Sequence, residues 1–179
     1  MKRLISSIVA LVVMLSLVAV PAALAQEGVT GVTGTLPAAS LEVTAPANII
    51  LDSLYGTGSA TDTSETPGTV KCLMHKDGYT LSISSDKADG IMTSNGDTLA
   101  AALLVTAGLV TSTGATATQV MDPDQVVRTT AQTVGTTAAS SPTETGTNDI
   151  TLSVSQAQQT TGVAGTYSLT LTFTATAND

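Results

Sequence analysis

Apolar and hydroxylated residues change places at every step through the last part of the chain. Ile150, Leu152 and Val154 alternate with Thr151, Ser153 and Ser155; Tyr167, Leu169, Leu171, Phe173 and Ala175 alternate with Ser168, Thr170, Thr172, Thr174 and Thr176. A period of two puts one set on each side of a pleated strand, so both runs predict strands with one wet face and one buried face. Tyr79, Leu81 and Ile83 likewise oppose Thr80, Ser82 and Ser84. Residues 69–75 precede them across Lys76-Asp77-Gly78, and because Asp-Gly supplies the positive backbone angle of a tight turn, residues 69–85 predict a β-hairpin.

Weaker patterns fill in the rest. Leu41 and Val43 alternate with Glu42 and Thr44, and residues 48–54 bring Ile49, Ile50 and Leu51. These predict a pair of strands split at Ala45-Pro46-Ala47, since proline cannot donate to a ladder. Residues 99–105 place Leu99, Leu103 and Val105 on one side and read as a strand, as do residues 126–134 after Asp122-Pro123-Asp124. Residues 86–98 form a turn-rich connection. Segments near 26–40, 56–68 and 135–147 have almost no large apolar residues and read as loops or mobile connections. Seven or eight strands with one greasy face each need an opposing layer, so the expected fold is all-β, a two-sheet antiparallel sandwich of immunoglobulin-like or jelly-roll type.

The chain opens differently. Lys2 and Arg3 precede an apolar run over residues 4–20, closed by Pro21 and Ala23-Leu24-Ala25. A cationic start, a greasy helix and small residues at the cut are the three parts of a secretory signal peptide, with a mature chain starting near Gln26. An uncleaved anchor is the alternative, since the run approaches the ~20 residues that cross a bilayer; Ser6, Ser7 and Ser16 dilute it. The expected organisation is a signal peptide over 1–25, an extended arm over 26–40 and one sandwich domain over 41–179. Export places the protein outside the cytoplasm, secreted, at the cell surface or in the periplasm, with no membrane span expected in the mature chain.

Composition narrows the partners. The formal net charge is −8, and losing Lys2 and Arg3 with the signal peptide takes it to −10. Lys71, Lys76, Lys87 and Arg128 are too few and too scattered to neutralise a phosphate track, so no nucleic-acid partner is expected and anionic membrane surfaces are poor candidate partners. Thr fills 33 positions, and its branched Cβ suits a strand whose outer face meets water. With three Tyr, one Phe and no Trp, and Tyr79, Tyr167 and Phe173 on expected core faces, only Tyr55 remains for stacking on a sugar ring.

Catalytic chemistry finds little to work with. His75 is the sole histidine, at a turn beside Lys76, and no Gly-x-Ser-x-Gly nucleophile turn exists. Asp62-Thr63-Ser64 copies the short signature of aspartic proteases, but without an apolar strand leading in. Cys72, the only cysteine, cannot form an internal disulfide and alternates with Val70 and Met74 as a buried small hydrophobe would; an intermolecular disulfide is the alternative. Zinc and copper lack a ligand set. Calcium needs only oxygens, and Asp86, Asp89, Asn95 and Asp97 are its candidate ligands in one connection, with Asp122 and Asp124 in another, although no EF-hand loop is present. No cofactor is otherwise expected.

Two segments resemble a known kind of protein. Residues 70–85 (VKCLMHKDGYTLSISS) with the Gly90-Ile91-Met92 turn, and the close Gly165-Thr166-Tyr167-Ser168-Leu169-Thr170-Leu171-Thr172-Phe173, are similar to the middle hairpin and final strand of spore coat protein U-like and chaperone-usher pilin-type surface sandwiches. Such proteins often carry paired cysteines, which this chain lacks. The resemblance implies surface assembly without catalysis.

The expected function is accordingly an exported, non-enzymatic structural or adhesive protein, such as a filament or coat subunit, partnered by itself or by other surface proteins. An exposed sheet edge can take an extended segment from a neighbour, and residues 29–36, with Val29, Val32 and Leu36, are the candidate donor. Gly31 and Gly34 weaken strand pairing, so an unpaired leader stands beside that reading. The alternative function is a secreted glycan- or cell-wall-binding module, calcium-assisted, whose partner is a cell-envelope polymer.

Overall fold

The structure is a computed structural model, and it describes residues 39–73, 77–114, 116–138 and 145–178. As the alternation predicts, these are all β: twelve strands, every strand pair antiparallel, and no helix among the described residues. No helix there is therefore long and apolar enough to cross a membrane. The signal peptide, the arm with Val29, Val32 and Leu36, and His75 lie outside the described residues.

The first sheet is built on β11 (Thr145–Ala157). On one side of it runs β7 (Leu104–Thr113), which in turn pairs with the short β9 (Gln125–Val126); on the other lies β3 (Gly68–Leu73), with β1 (Ser40–Thr44) beyond it at the edge. β2 (Ser59–Thr63) shares the β3 side of β11, pairing with Ser153 to Ala157 while β3 pairs with Thr145 to Ile150. The second sheet has the order β12 (Leu171–Ala177), β4 (Tyr79–Ser85), β10 (Gln132–Thr137), β8 (Ala117–Gln119). A separate hairpin joins β5 (Thr93–Ser94) to β6 (Asp97–Thr98).

The two inner faces share one core. Val70, Val105, Leu109, Ile150 and Leu152 of the first sheet meet Tyr79, Leu81, Ile83 and Val134 of the second, all buried. A buried aliphatic side chain stabilises by about 1.5–3 kcal/mol, so this cluster is what holds the layers together. Gln119 adds a polar stitch: its Oε1 accepts from Leu109 N–H at 2.9 Å, while its Nε2 donates to Ala107 O at 2.7 Å and Met121 O at 2.8 Å. One amide thus satisfies backbone groups of β7 from a strand of the other sheet.

Several expectations are corrected. Residues 69–85 do not form a hairpin. β3 pairs with β1 and β11 in one sheet, β4 with β12 and β10 in the other, so the connection through Asp77-Gly78 crosses between layers. Gly78 does carry the expected positive φ, 75°. Each strand has a buried face, and facing each other across the core covers both at once. Residues 126–134 likewise divide between β9 and β10, in different sheets. Residues 48–54 form no strand, Pro46 having interrupted the pairing that β1 began. β2 lies inside the expected loop 56–68, and the ends of β10 and β11 inside 135–147; Thr, Ser and Gly carry these stretches, and Thr keeps its strand preference without a large apolar side chain. Residues 99–103 are irregular, and β7 runs on well past 105; β12 starts at Leu171, not Tyr167. The count of twelve against seven or eight arises from pieces of two to five residues.

Candidate functional site

The inner faces of the two sheets part near β12. There, Leu152 and Val154 of β11, Leu171 and Phe173 of β12, and Met92, Leu99 and Leu103 wall a groove of about 1110 Å³. Residues 45–55 and 159–167 form its rim. The residues expected as a second strand, Ile49 to Leu51, therefore serve as rim and wall. Ile50 is 79% exposed, Tyr55 74% and Val163 58%, so three large apolar side chains face solvent around one opening. Asp52 is the only charged residue in the lining.

Three glutamines hold the rim in place. Gln158 Oε1 accepts from Gly58 N–H at 3.2 Å and its Nε2 donates to Ser53 O at 3.1 Å. Gln159 N–H donates to Leu54 O at 3.0 Å, Gly56 N–H to Gln159 O at 3.2 Å, and Ala100 N–H to Gln159 Oε1 at 3.0 Å. Gln156, fully buried, donates from Nε2 to Ala101 O at 3.1 Å, while its Oε1 has no partner among the described residues. On the other side Ala47 N–H donates to Thr66 O at 3.0 Å, and Ser64 Oγ lies 2.9 Å from both Ala47 O and Thr66 O. Sequence reasoning missed this framework. The available signal was Gln156-Ala157-Gln158-Gln159 at the end of a strand, where long amides can reach the backbone of neighbouring loops.

β12 is also the last strand of its sheet among the described residues. Leu171, Phe173 and Ala175 on its inner side are only half-buried. An edge of this kind offers unpaired N–H and C=O groups to another chain. Chemically, the groove and the edge together suit an extended, apolar, uncharged segment.

The other expected sites are dispersed. Asp86 Oδ1 accepts from Thr170 N–H at 2.8 Å and its Oδ2 lies 3.2 Å from Lys87 Nζ. Partial burial raises its pKa, but the Thr170 N–H and Lys87 outweigh that and hold the carboxyl below its usual range. Asp89 Oδ1 accepts from Ile91 N–H at 3.0 Å. Asn95, at φ 48°, and Gly96, at φ 96°, make the tight turn between β5 and β6, and Asp97 is exposed on β6. Among the described residues no group of three or more His, Cys, Asp or Glu is placed to hold a metal ion. The four calcium candidates are thus not gathered into one carboxylate cluster, and turn chemistry accounts for Asp89 and Asn95. Asp62 is exposed on β2, its Oδ1 accepting from Thr63 N–H at 2.7 Å. Cys72 is buried, which fits packing and keeps its sulfur from a neighbouring molecule. Tyr167, expected on a core face, is half-buried outside any strand and donates its hydroxyl to Val163 O at 2.8 Å.

One buried polar pair crosses the core. Asn148 of β11, 1% exposed, donates from Nδ2 to the hydroxyl of Tyr79, 0% exposed, at 2.8 Å. Asn148 Oδ1 has no partner among the described residues. Burial pushes the Tyr79 phenol up to about 12, against a lowering by Asn148.

A scan against protein-family models, a search of curated proteins and a search of solved structures each find no match.

Proposed function

We propose that this protein is an exported, non-catalytic structural or adhesive subunit of the cell surface, assembling when a neighbour adds a strand to the edge of β12. The observation that carries the reading is the meeting of that edge with the apolar groove. Main-chain hydrogen bonds along β12 would supply affinity, and the groove would take alternate side chains. Residues 29–36 are the donor. Val32 and Leu36 fall on one face at a period of two, with Gly34 between them allowing close approach. The near absence of charge in the groove matches that segment, which carries none.

Sedimentation and electron microscopy of the purified protein over a concentration series test this. Assembly is expected for the full chain and lost on deleting residues 26–36, with circular dichroism of the deletion variant unchanged in its β content. Phe173→Asp on the groove wall should abolish assembly from the acceptor side. Filaments that survive the deletion, or a full chain that stays monomeric at high concentration, refute the reading.

A glycan- or wall-binding module is the second reading, favoured by Tyr55, an exposed aromatic beside Asp52 on the rim. Pull-down on isolated envelope material, with and without a calcium chelator, and its loss in Tyr55→Ala, separate the two.

A further inference from the structure

The solvent face of the second sheet is a grid of hydroxyls. Residues paired across an antiparallel ladder point to the same side, so the registers set Thr176, Thr80, Thr136 and Thr118 in one row across β12, β4, β10 and β8. Thr174, Ser82 and Thr133 form a second row, and Thr172 and Ser84 a third. All nine positions are Thr or Ser. Nine surface positions would ordinarily carry about two or three charged residues, and the outer face of the first sheet does carry Glu42, Lys71 and Asp149. Thr80 Oγ1 donates to Asn178 Oδ1 at 2.9 Å; the other eight side chains make no hydrogen bond to a described residue.

Strands lie about 4.7–4.9 Å apart, and same-face neighbours along an antiparallel strand about 6.8 Å apart. Branching at Cβ restricts each Thr to few orientations, so hydroxyl groups recur on that lattice along β12 and β4, where the register is unbroken, and a bulge between Thr133 and Gly135 offsets the β10 members from it. The oxygen repeats on the prism faces of ice are close to both spacings. A charged group would hold water in its own oriented shell and break such a match, and here an otherwise acidic chain clears one whole face of charge. That neutrality complements a neutral crystal of water.

The geometry points to an ice-binding face: the outer side of β12, β4, β10 and β8 adsorbs to ice through its Thr and Ser array. This face is distinct from the edge and groove of the proposed assembly, so the two readings succeed or fail separately.

The test is ice-recrystallisation inhibition and thermal hysteresis of the purified full chain, with a non-binding protein at equal concentration as reference. The full chain should arrest grain growth and open a gap between melting and freezing. Thr136→Lys, at the centre of the array, should lose both effects, and so should Thr174→Lys, whose exposed position on β12 tolerates the longer side chain without unfolding. Thr151→Lys, exposed on the outer face of the first sheet, should keep both. Ice that coarsens as in the reference overturns the assignment. So does full activity in a folded Thr174→Lys variant, or equal loss in Thr151→Lys. Retention on powdered cellulose or chitin without any effect on ice also overturns it, and would give the face to a polysaccharide lattice instead.

Discussion

Replacing Tyr79 by Phe removes one oxygen from the core and leaves the Asn148 amide with neither end satisfied, because Nδ2 loses the hydroxyl at 2.8 Å and Oδ1 has no partner among the described residues. A buried polar group left without its partner costs about 1–3 kcal/mol, so Tyr79→Phe should destabilise by that much even though it deletes only a hydroxyl. Asn148→Leu is nearly isosteric. It strands the phenol but also removes the orphaned carbonyl, two effects of similar size and opposite sign, so its net change should lie within about 1 kcal/mol of zero. In the double variant no buried polar atom of the pair remains, and it should recover about 1–3 kcal/mol relative to Tyr79→Phe alone. Urea unfolding reads this as a shift in midpoint at constant slope. The cycle has an alkaline arm. An ordinary tyrosine titrates at 10.0 and Tyr79 at about 12; the folded state therefore holds its proton more tightly, and stability is intact below pH 10 and falls as pH rises towards 12, by up to about 3 kcal/mol. Tyr79→Phe should abolish that part of the decline. A Tyr79→Phe variant as stable as the parent, or a double variant that loses the sum of both single losses, would refute the reasoning.

Gln119→Ala removes three hydrogen bonds, two of which join the sheets through β7, and should cost about 1–3 kcal/mol in urea unfolding. Gly78→Ala should cost at least about 1–2 kcal/mol, because φ is 75° and an added Cβ would stand 2.3 Å from Thr137 O; an unchanged melting temperature would count against the crossover geometry at Gly78. Asp86 contributes in the opposite pH sense to Tyr79. Its folded pKa is depressed, so its stabilisation is present above the ordinary carboxylate value of 3.8 and is lost as pH falls below it; Asp86→Asn should flatten that acid limb in a pH series of thermal melts.

The fold class was legible because burial has a period. Tyr79, Leu81 and Ile83, and again Ile150, Leu152 and Val154, announce which side of a strand faces the core, and an all-β sandwich follows from several such runs. The Thr and Ser between them were equally plain as outward faces, although their alignment into rows depends on cross-strand register. Asp77-Gly78 shows where reading along the chain stops. The dipeptide specifies a positive φ, and Gly78 has it, yet the same turn serves a hairpin or a passage between sheets. Residues 126–134 carry one apolar pattern and enter two sheets. The groove was invisible for a related reason: Ile49, Leu152 and Phe173 are far apart in sequence, and only packing brings them to one opening. What the sequence determined by itself is which side of each strand is dry, since that is written in side chains two residues apart. Which strand lies beside which, and so where the groove and the β12 edge fall, was decided by tertiary structure. The main-chain N–H and C=O groups that join strands are the same at nearly every residue, so choosing among partners takes the packing of the whole core.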